Sequence, residues 1–328
     1  MKPTIYVTRR LPQPALDRLA EVFDVEVNPE DRVLTKEEII AHVRGKDALL
    51  CLLTDTIDAE VLDAEPSLKV VSNYAVGYNN IDVAAATERG IPVTNTPGVL
   101  TETTADLTFA LILAVARRVV EGDRIMRAGE FPGWGPMYLL GHDVYGKTLG
   151  IVGMGRIGAA VARRAKGFGM RILYTSRSPK PELDVALGAE RVPLETLLKE
   201  SDFVSIHVPL TEETHHLIGE RELRLMKRTA YLINTARGPV VDEAALVRAL
   251  REGVIAGAGL DVYEREPAME PGLAELPNAV LLPHVGSATV ETRTAMGVLA
   301  AENAIAVIQG RRPPHLVNPE VWERRRGR

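Results

Sequence analysis

One turn constrains this chain more than any other stretch: Gly153-Met-Gly-Arg-Ile-Gly158. An apolar run, Thr148 to Val152, precedes it and reads as a buried strand. After it, Ile157, Val161, Ala165 and Phe168 recur at helical spacing. A strand, a glycine turn and a helix in that order give each glycine a task. Gly153 makes the tight turn, Gly155 allows a close approach of backbone to ligand, and Gly158 lets the helix lie on the sheet. The N–H groups that open the helix, at Arg156 and Ile157, then suit an anion such as a pyrophosphate.

The same grammar runs along the whole chain. Strands are expected at Thr4 to Val7, Ala48 to Leu53, Leu68 to Ser72 and Pro92 to Asn95, with a helix over Ala15 to Val22. Thr35 and Glu38 form a capping-box pattern before Ile39 and Ile40. A second series of strands is expected at Leu149 to Val152, Arg171 to Tyr174, Phe203 to His207, Tyr231 to Asn234, Ala258 to Asp261 and Val280 to Leu282. Strands alternating with helices predict parallel sheets covered on both faces, hence an α/β chain. With 328 residues, two domains are expected rather than one core. The last helical stretch, Thr289 to Ile308, has no sheet of its own to finish, so it is expected to return to the first domain.

Thr101 to Met126 reads as one long helix, apolar nearly all round at Leu107 to Val115, which predicts burial on several sides. An apolar loop follows, Phe131-Pro-Gly-Trp-Gly-Pro-Met-Tyr-Leu-Leu140. Apolar loop surface needs cover, from a second copy of the chain or from its own packing. A homodimer is the favoured expectation.

Composition excludes some partners. Net charge is -5 with acids and bases interspersed, so neither a nucleic acid nor a membrane surface is expected. The run Arg324 to Arg328 reads as a frayed end. Cys51 sits inside an apolar run and should be a buried strand residue. The apolar block Ala105 to Ala116 contains Asp106 and is too short to span a bilayer. No leader-like segment precedes the first strand, so a cytoplasmic protein is expected.

About 20 residues past the glycine turn, an acid usually holds a ribose hydroxyl of the dinucleotide. Here Leu173-Tyr-Thr-Ser-Arg-Ser178 occupies that place. No carboxylate would repel an extra 2′-phosphate. Ser176 and Ser178 offer hydroxyls, and Arg177 offers a fork suited to phosphate. NADP(H) is therefore the favoured cofactor, with NAD(H) possible. Alternatively, Arg177 only stacks on the adenine and discriminates weakly.

Three further segments follow strands of the second series: Ile233-Asn-Thr-Ala-Arg-Gly238, Leu260-Asp-Val-Tyr-Glu-Arg-Glu-Pro267 and Leu281-Leu-Pro-His-Val-Gly-Ser-Ala-Thr289. Ligands of open α/β sheets bind beyond the carboxyl ends of strands. Arg237, Glu266 and His284 should thus share a crevice with the glycine turn. Hydride delivery to a 2-oxo acid builds charge on the carbonyl oxygen. Arg237 would bind the substrate carboxylate, His284 would donate the proton, and Glu266 would hold the imidazole charged and oriented. Singly, each has a plainer role: a surface ion pair, a solvated acid beside Arg265, a core histidine. No chemistry is assigned to His215 and His216, which read as a surface turn.

These motifs, with Asn73-Tyr-Ala-Val-Gly-Tyr-Asn-Asn-Ile-Asp82 and His207-Val-Pro-Leu210, carry a resemblance. The sequence resembles the D-isomer-specific 2-hydroxyacid dehydrogenases over nearly its whole length, most closely the glyoxylate/hydroxypyruvate reductase branch. The resemblance implies two doubly wound parallel-sheet domains, a Rossmann cofactor domain (99–286) inserted in a discontinuous flavodoxin-like substrate domain (1–98 with 287–328). It implies the roles given above for Arg237, Glu266 and His284. Leu53, Val76, Gly77 and Ser287 would meet the substrate, the middle two through backbone N–H groups. Thr104, His207, Pro209, Thr235, Ala236, Asp261 and Gly286 would line the cofactor. A small 2-oxo acid is the implied substrate. Trp134 would reach a partner's active site or simply pack in a dimer interface. Glutamine stands at the place of Glu266 in related formate dehydrogenases, which argues against that reaction. A D-lactate or broader 2-oxo acid reductase, and a dinucleotide-sensing corepressor-like module, remain as alternatives.

Overall fold

The structure, a computed structural model, describes residues 2–327. The chain divides into two compact units, Met1–Leu100 with Ala288–Arg328, and Thr101–Ser287. In the first, strands β1 (Thr4–Val7), β2 (Asp24–Val27), β3 (Ala48–Leu52), β4 (Val70–Tyr74) and β5 (Val93–Thr94) form a parallel sheet in the order β2-β1-β3-β4-β5. That is the flavodoxin-like order. β4 is buried throughout and β3 nearly so, as strands covered on both faces are, with the Ser72 and Asn73 side chains of β4 hydrogen-bonded. Edge strand β2 has two valines alternating with two acids and half its surface in water, too weak a pattern to be read from sequence. Helices α1 (Gln13–Ala20), α2 (Lys36–Val43), α3 (Ala59–Asp63) and α4 (Val83–Glu88) connect the strands. The Thr35–Glu38 capping box forms: the Glu38 N–H donates to the Thr35 hydroxyl (3.3 Å) and the Thr35 N–H to the Glu38 carboxylate (2.8 Å). Cys51 is fully buried in β3.

The second unit opens with α5 (Thr101–Ala116) and α6 (Val119–Ala128). The expected single helix over Thr101 to Met126 is therefore broken. Gly141 lies against the Ala116 carbonyl, and the His142 N–H donates to it at 2.8 Å. In a continuous helix that carbonyl would accept from residue 120. Arg118 turns left-handed (φ 53°) and forks onto Glu121 at 2.7 and 2.8 Å instead.

Seven parallel strands follow: β6 (Thr148–Val152), β7 (Arg171–Thr175), β8 (Glu190–Arg191), β9 (Phe203–Ile206), β10 (Tyr231–Asn234), β11 (Gly257–Leu260) and β12 (Ala279–Leu281). Their order is β12-β11-β10-β9-β6-β7-β8, which reverses between β6 and β9. This is the Rossmann order, and the reversal is where such sheets bind ligands. Helices α7 (Arg156–Gly167), α8 (Pro181–Leu187), α9 (Leu194–Glu200), α10 (Glu220–Leu225) and α11 (Glu243–Arg251) complete it. One core joins Leu111, Ile112, Ile151, Val161 and Phe203, and another joins Leu197, Val204, Leu246 and Ile255, so helices cover both faces.

Helix α12 (Val290–Ile308) belongs to the first unit, capped by the Thr289 hydroxyl and packed through Met296, Ala300 and Ala304 on Ile5, Leu19 and Val70. The arginine-rich end is not frayed as far as it is described: the Arg326 N–H donates to the Gly90 carbonyl (2.9 Å), and Arg325 lies 3.8 Å over the Trp322 ring. Arg328 lies outside the described residues. Among them, no helix is long and apolar enough to cross a membrane.

Candidate active site

The glycine turn follows β6. Gly153 has φ 104°, and a Cβ there would lie 2.8 Å from the His207 carbonyl, because β9 runs alongside. A Cβ on Gly158 would overlap the Gly153 carbonyl, so helix α7 starts pressed against the turn. Gly155 caps α7 with no side-chain acceptor, and a Cβ there would meet open space. First-turn N–H groups without a side-chain acceptor, beside room for a ligand, fit a dinucleotide pyrophosphate. His207 pairs its Nε2 with the Ser205 hydroxyl at 2.8 Å; burial pushes its pKa down to about 3, so the ring is neutral. Exposed Pro209 continues that loop.

At the end of β7 the Ser176 hydroxyl donates to the Ser178 carbonyl (2.6 Å). Arg177 and Ser178 are exposed, and the Arg177 guanidinium hydrogen-bonds none of the described residues. The loop itself is held from below. Arg191 of β8 donates to the Ser176 carbonyl at 2.9 and 3.3 Å and to the Arg177 carbonyl at 3.3 Å. The Lys180 N–H donates to the buried Tyr174 hydroxyl at 2.9 Å. Sequence reasoning missed Arg191, because a lone arginine in a two-residue edge strand carries no signal.

Beyond β10, Asn234 closes the turn that presents Arg237. Its amide accepts from the Ala236 N–H (3.0 Å) and donates to the Arg237 carbonyl (2.9 Å). Arg237 Nη1 donates to the Ala236 carbonyl at 2.7 Å. Burial pulls the Arg237 pKa down, partly countered by the Glu266 charge, yet a guanidinium stays cationic. A Cβ on Gly238 would overlap the Tyr263 carbonyl, so the loops after β10 and β11 touch backbone to backbone. Glu266 uses both oxygens: one accepts from the Tyr263 N–H (3.0 Å), the other meets His284 Nδ1 at 2.8 Å. Burial pushes the Glu266 carboxyl up, but the His284 hydrogen bond and charge, the Tyr263 N–H and Arg237 outweigh it and hold the carboxyl below its ordinary range.

His284 stands at φ 53°, a left-handed conformation that costs about 1–2 kcal/mol for a non-glycine residue. Asp261 holds it there, its carboxylate accepting from the Val285 and Gly286 N–H groups, both at 2.7 Å. Burial pushes that carboxyl up, against the pull of the two N–H groups and His284. Thr104 donates to the Gly286 carbonyl at 3.2 Å, and the Thr108 and Thr235 hydroxyls lie 2.9 Å apart. Ala236 and Ser287 lie in the loops after β10 and β12. The structure thus joins Glu266 to His284 directly and sets Arg237 within electrostatic reach of Glu266. The anchoring by Asn234, Tyr263 and Asp261 was not legible in sequence.

In the first unit, Leu53 sits partly exposed in the turn after β3, whose ends are tied by Asp55 and Asn80. Asn95 donates to the Val76 carbonyl and Asn73 to the Gly77 carbonyl, each at 2.8 Å. The Val76 and Gly77 N–H groups donate to no acceptor among the described residues. In the second unit Trp134 is 86% exposed and Met137 78%, and helix α6 buries no residue within its own chain.

A sheet in this order, with that turn after its first strand, defines a dinucleotide-binding α/β protein. Residues 109–286 match the model of the D-isomer specific 2-hydroxyacid dehydrogenase NAD binding domain. A glyoxylate reductase of Korarchaeum cryptofilum is 60% identical, over 98% of this chain and 97% of its own. The crystal structure of a Thermus thermophilus protein is 54% identical with a TM-score of 0.90, covering 96% of this chain and 99% of that one. An NADPH-dependent glyoxylate/hydroxypyruvate reductase from Sinorhizobium meliloti, in complex with NADP and malonate, is 37% identical with a TM-score of 0.87, covering 97% of each chain. The chain belongs to the D-isomer-specific 2-hydroxyacid dehydrogenases. It is an NAD(P)-dependent enzyme whose site suits a small 2-oxo acid.

Proposed function

We propose that the chain reduces glyoxylate to glycolate and hydroxypyruvate to D-glycerate, preferring NADPH. The observation that carries this reading is the Glu266–His284 pair at 2.8 Å beside half-buried Arg237. When bound, the nicotinamide supplies the hydride to C2 of the oxo acid. Arg237 binds the substrate carboxylate and draws charge toward the carbonyl oxygen. His284 keeps Nδ1 on Glu266 and gives its Nε2 proton to the oxygen that takes up the charge. Glu266 stabilises the imidazolium before the transfer and fixes the ring's direction. In the second unit, Ser287 bounds the substrate's space; in the first unit taken by itself, the Val76 and Gly77 N–H groups suit a carboxylate and Leu53 an apolar group.

The first turn of α7 at Arg156 and Ile157 would hold the pyrophosphate, with Thr104, His207, Pro209, Thr235, Ala236, Asp261 and Gly286 along the rest of the dinucleotide. Ser176, Arg177 and Ser178 would take the 2′-phosphate: the segment itself carries no carboxylate, and Arg177, within electrostatic reach of Glu213, hydrogen-bonds none of the described residues. The similar reductase from Sinorhizobium meliloti is NADPH-dependent, in keeping with this preference. The exposed apolar surface of α6 and the Trp134 loop favours a homodimer. An unpaired, buried Cys51 fits a cytoplasmic enzyme.

Initial rates with glyoxylate, hydroxypyruvate and pyruvate, each with NADPH and NADH, test the assignment. We expect the highest kcat/KM for the first two acids with NADPH. Faster turnover of pyruvate would replace the substrate assignment, and a higher value with NADH would refute the role of Arg177.

A further inference from the structure

At the edge of the catalytic loops, the turn after β9 and the loop after β11 bring together two imidazoles and a carboxylate. His215, His216 and Glu264 offer ligand atoms that all lie within 4.8 Å of one another. The two rings stack at 4.1 Å, and His216 Nε2 sits 2.9 Å from a Glu264 oxygen. Ligand atoms around a tetrahedral zinc, each roughly 2.0–2.1 Å from it, stand about 3.4 Å apart, so the 2.9 Å His216–Glu264 pair would open slightly and the wider separations would close. The groups are also aimed. His216 adopts φ 51°, and its N–H donates to the Pro239 carbonyl at 2.8 Å. The second Glu264 oxygen accepts from the Glu243 N–H at 3.2 Å, while the Glu264 N–H donates to the Glu243 carboxylate at 3.3 Å. Outer contacts of this kind orient metal ligands.

We propose that His215, His216 and Glu264 form a binding site for a late first-row divalent cation of the zinc class, with water completing the coordination. Imidazole with one carboxylate suits zinc, cobalt and nickel over magnesium or calcium. The site is separate from the reacting groups and staples three segments. Its histidines ride on the turn 211–218. Glu264 precedes Glu266 by two residues, and the Pro239 carbonyl that holds His216 follows Arg237 by two. A cation there would brace the two loops that carry Arg237 and Glu266. This inference does not rest on the substrate or on the cofactor preference.

Tag-free, chelator-treated full-length protein titrated with Co2+ and followed by visible absorption tests it. One equivalent should produce d–d bands, Zn2+ should displace them, and Zn2+ should raise Tm. His215→Ala should abolish the bands and the Tm rise and leave the metal-free kcat and Tm unchanged, since that exposed ring touches no catalytic group. Glu264→Gln should weaken Co2+ binding by roughly 10-fold or more, as loss of a supported ligand does. Failure to bind one equivalent, or equal binding by the parent and His215→Ala, would overturn the site.

Discussion

The loops after β10, β11 and β12 and the loop after β7 all stand at the carboxyl ends of strands of one sheet, yet they are built in opposite ways. The first set is cross-tied. Asn234 closes one loop, Tyr263 and Glu266 the second, and Asp261 the third, while Gly238 lets two of the backbones touch. Its charged groups are partly desolvated, so each depends on its neighbours. The β7 loop is largely exposed, and Arg177 extends from it without a hydrogen-bond partner among the described residues. Its backbone is held from below, two carbonyls by Arg191 and the Lys180 N–H by Tyr174. A group that moves a proton needs a fixed direction, which the cross-ties supply. A group that recognises a phosphate needs only charge and reach.

That contrast is open to attack at several points. His284→Ala should produce the largest loss, roughly 10²-fold or more in kcat with KM for the oxo acid little changed, measured by steady-state kinetics. A loss carried by KM alone would show that His284 binds rather than protonates. Glu266→Gln comes next. Removing the carboxylate withdraws the charge that favours the imidazolium, so the protonated ring survives only to lower pH. The alkaline limb of kcat/KM for reduction should move toward acid; an unmoved limb would break the pairing.

On the β7 side the effects should be smaller and confined to one cofactor. Arg177→Ala should raise KM for NADPH about tenfold, the worth of one charge-assisted phosphate contact, and leave NADH nearly unchanged. Equal losses with both would place Arg177 on the shared adenosine. Arg191→Ala should weaken NADPH by about threefold, since it positions the loop through two carbonyls without touching ligand. If Arg191→Ala lowered Tm strongly and spared the NADPH-to-NADH ratio, the arginine would be structural only.

How much of this could be read from the chain alone differs between the same two regions. Glycines at 153, 155 and 158, the missing acid and the uncommitted Arg177 all lie within one βαβ stretch, where spacing along the chain is spacing in space. The residue types of the catalytic set were legible too, because each follows a strand and strand ends share an edge. What holds them was not: Asp261 reaches Val285 and Gly286 across more than 20 residues, and Arg191 reaches Ser176 across 15.

The sequence by itself determined the two parallel sheets, the turn that opens α7 and the chemistry available at the strand ends. Those follow from apolar periodicity and backbone conformation, which are local. Tertiary structure alone decided that α5 stops at Ala116, since the chain at Gly141 and His142 takes the carbonyl a longer helix would need. It also set His284 in a left-handed turn on Asp261 and brought His215 and His216 to Glu264. Contacts of that kind depend on sheet register and on which loops are brought together, and no short-range pattern in the chain encodes either.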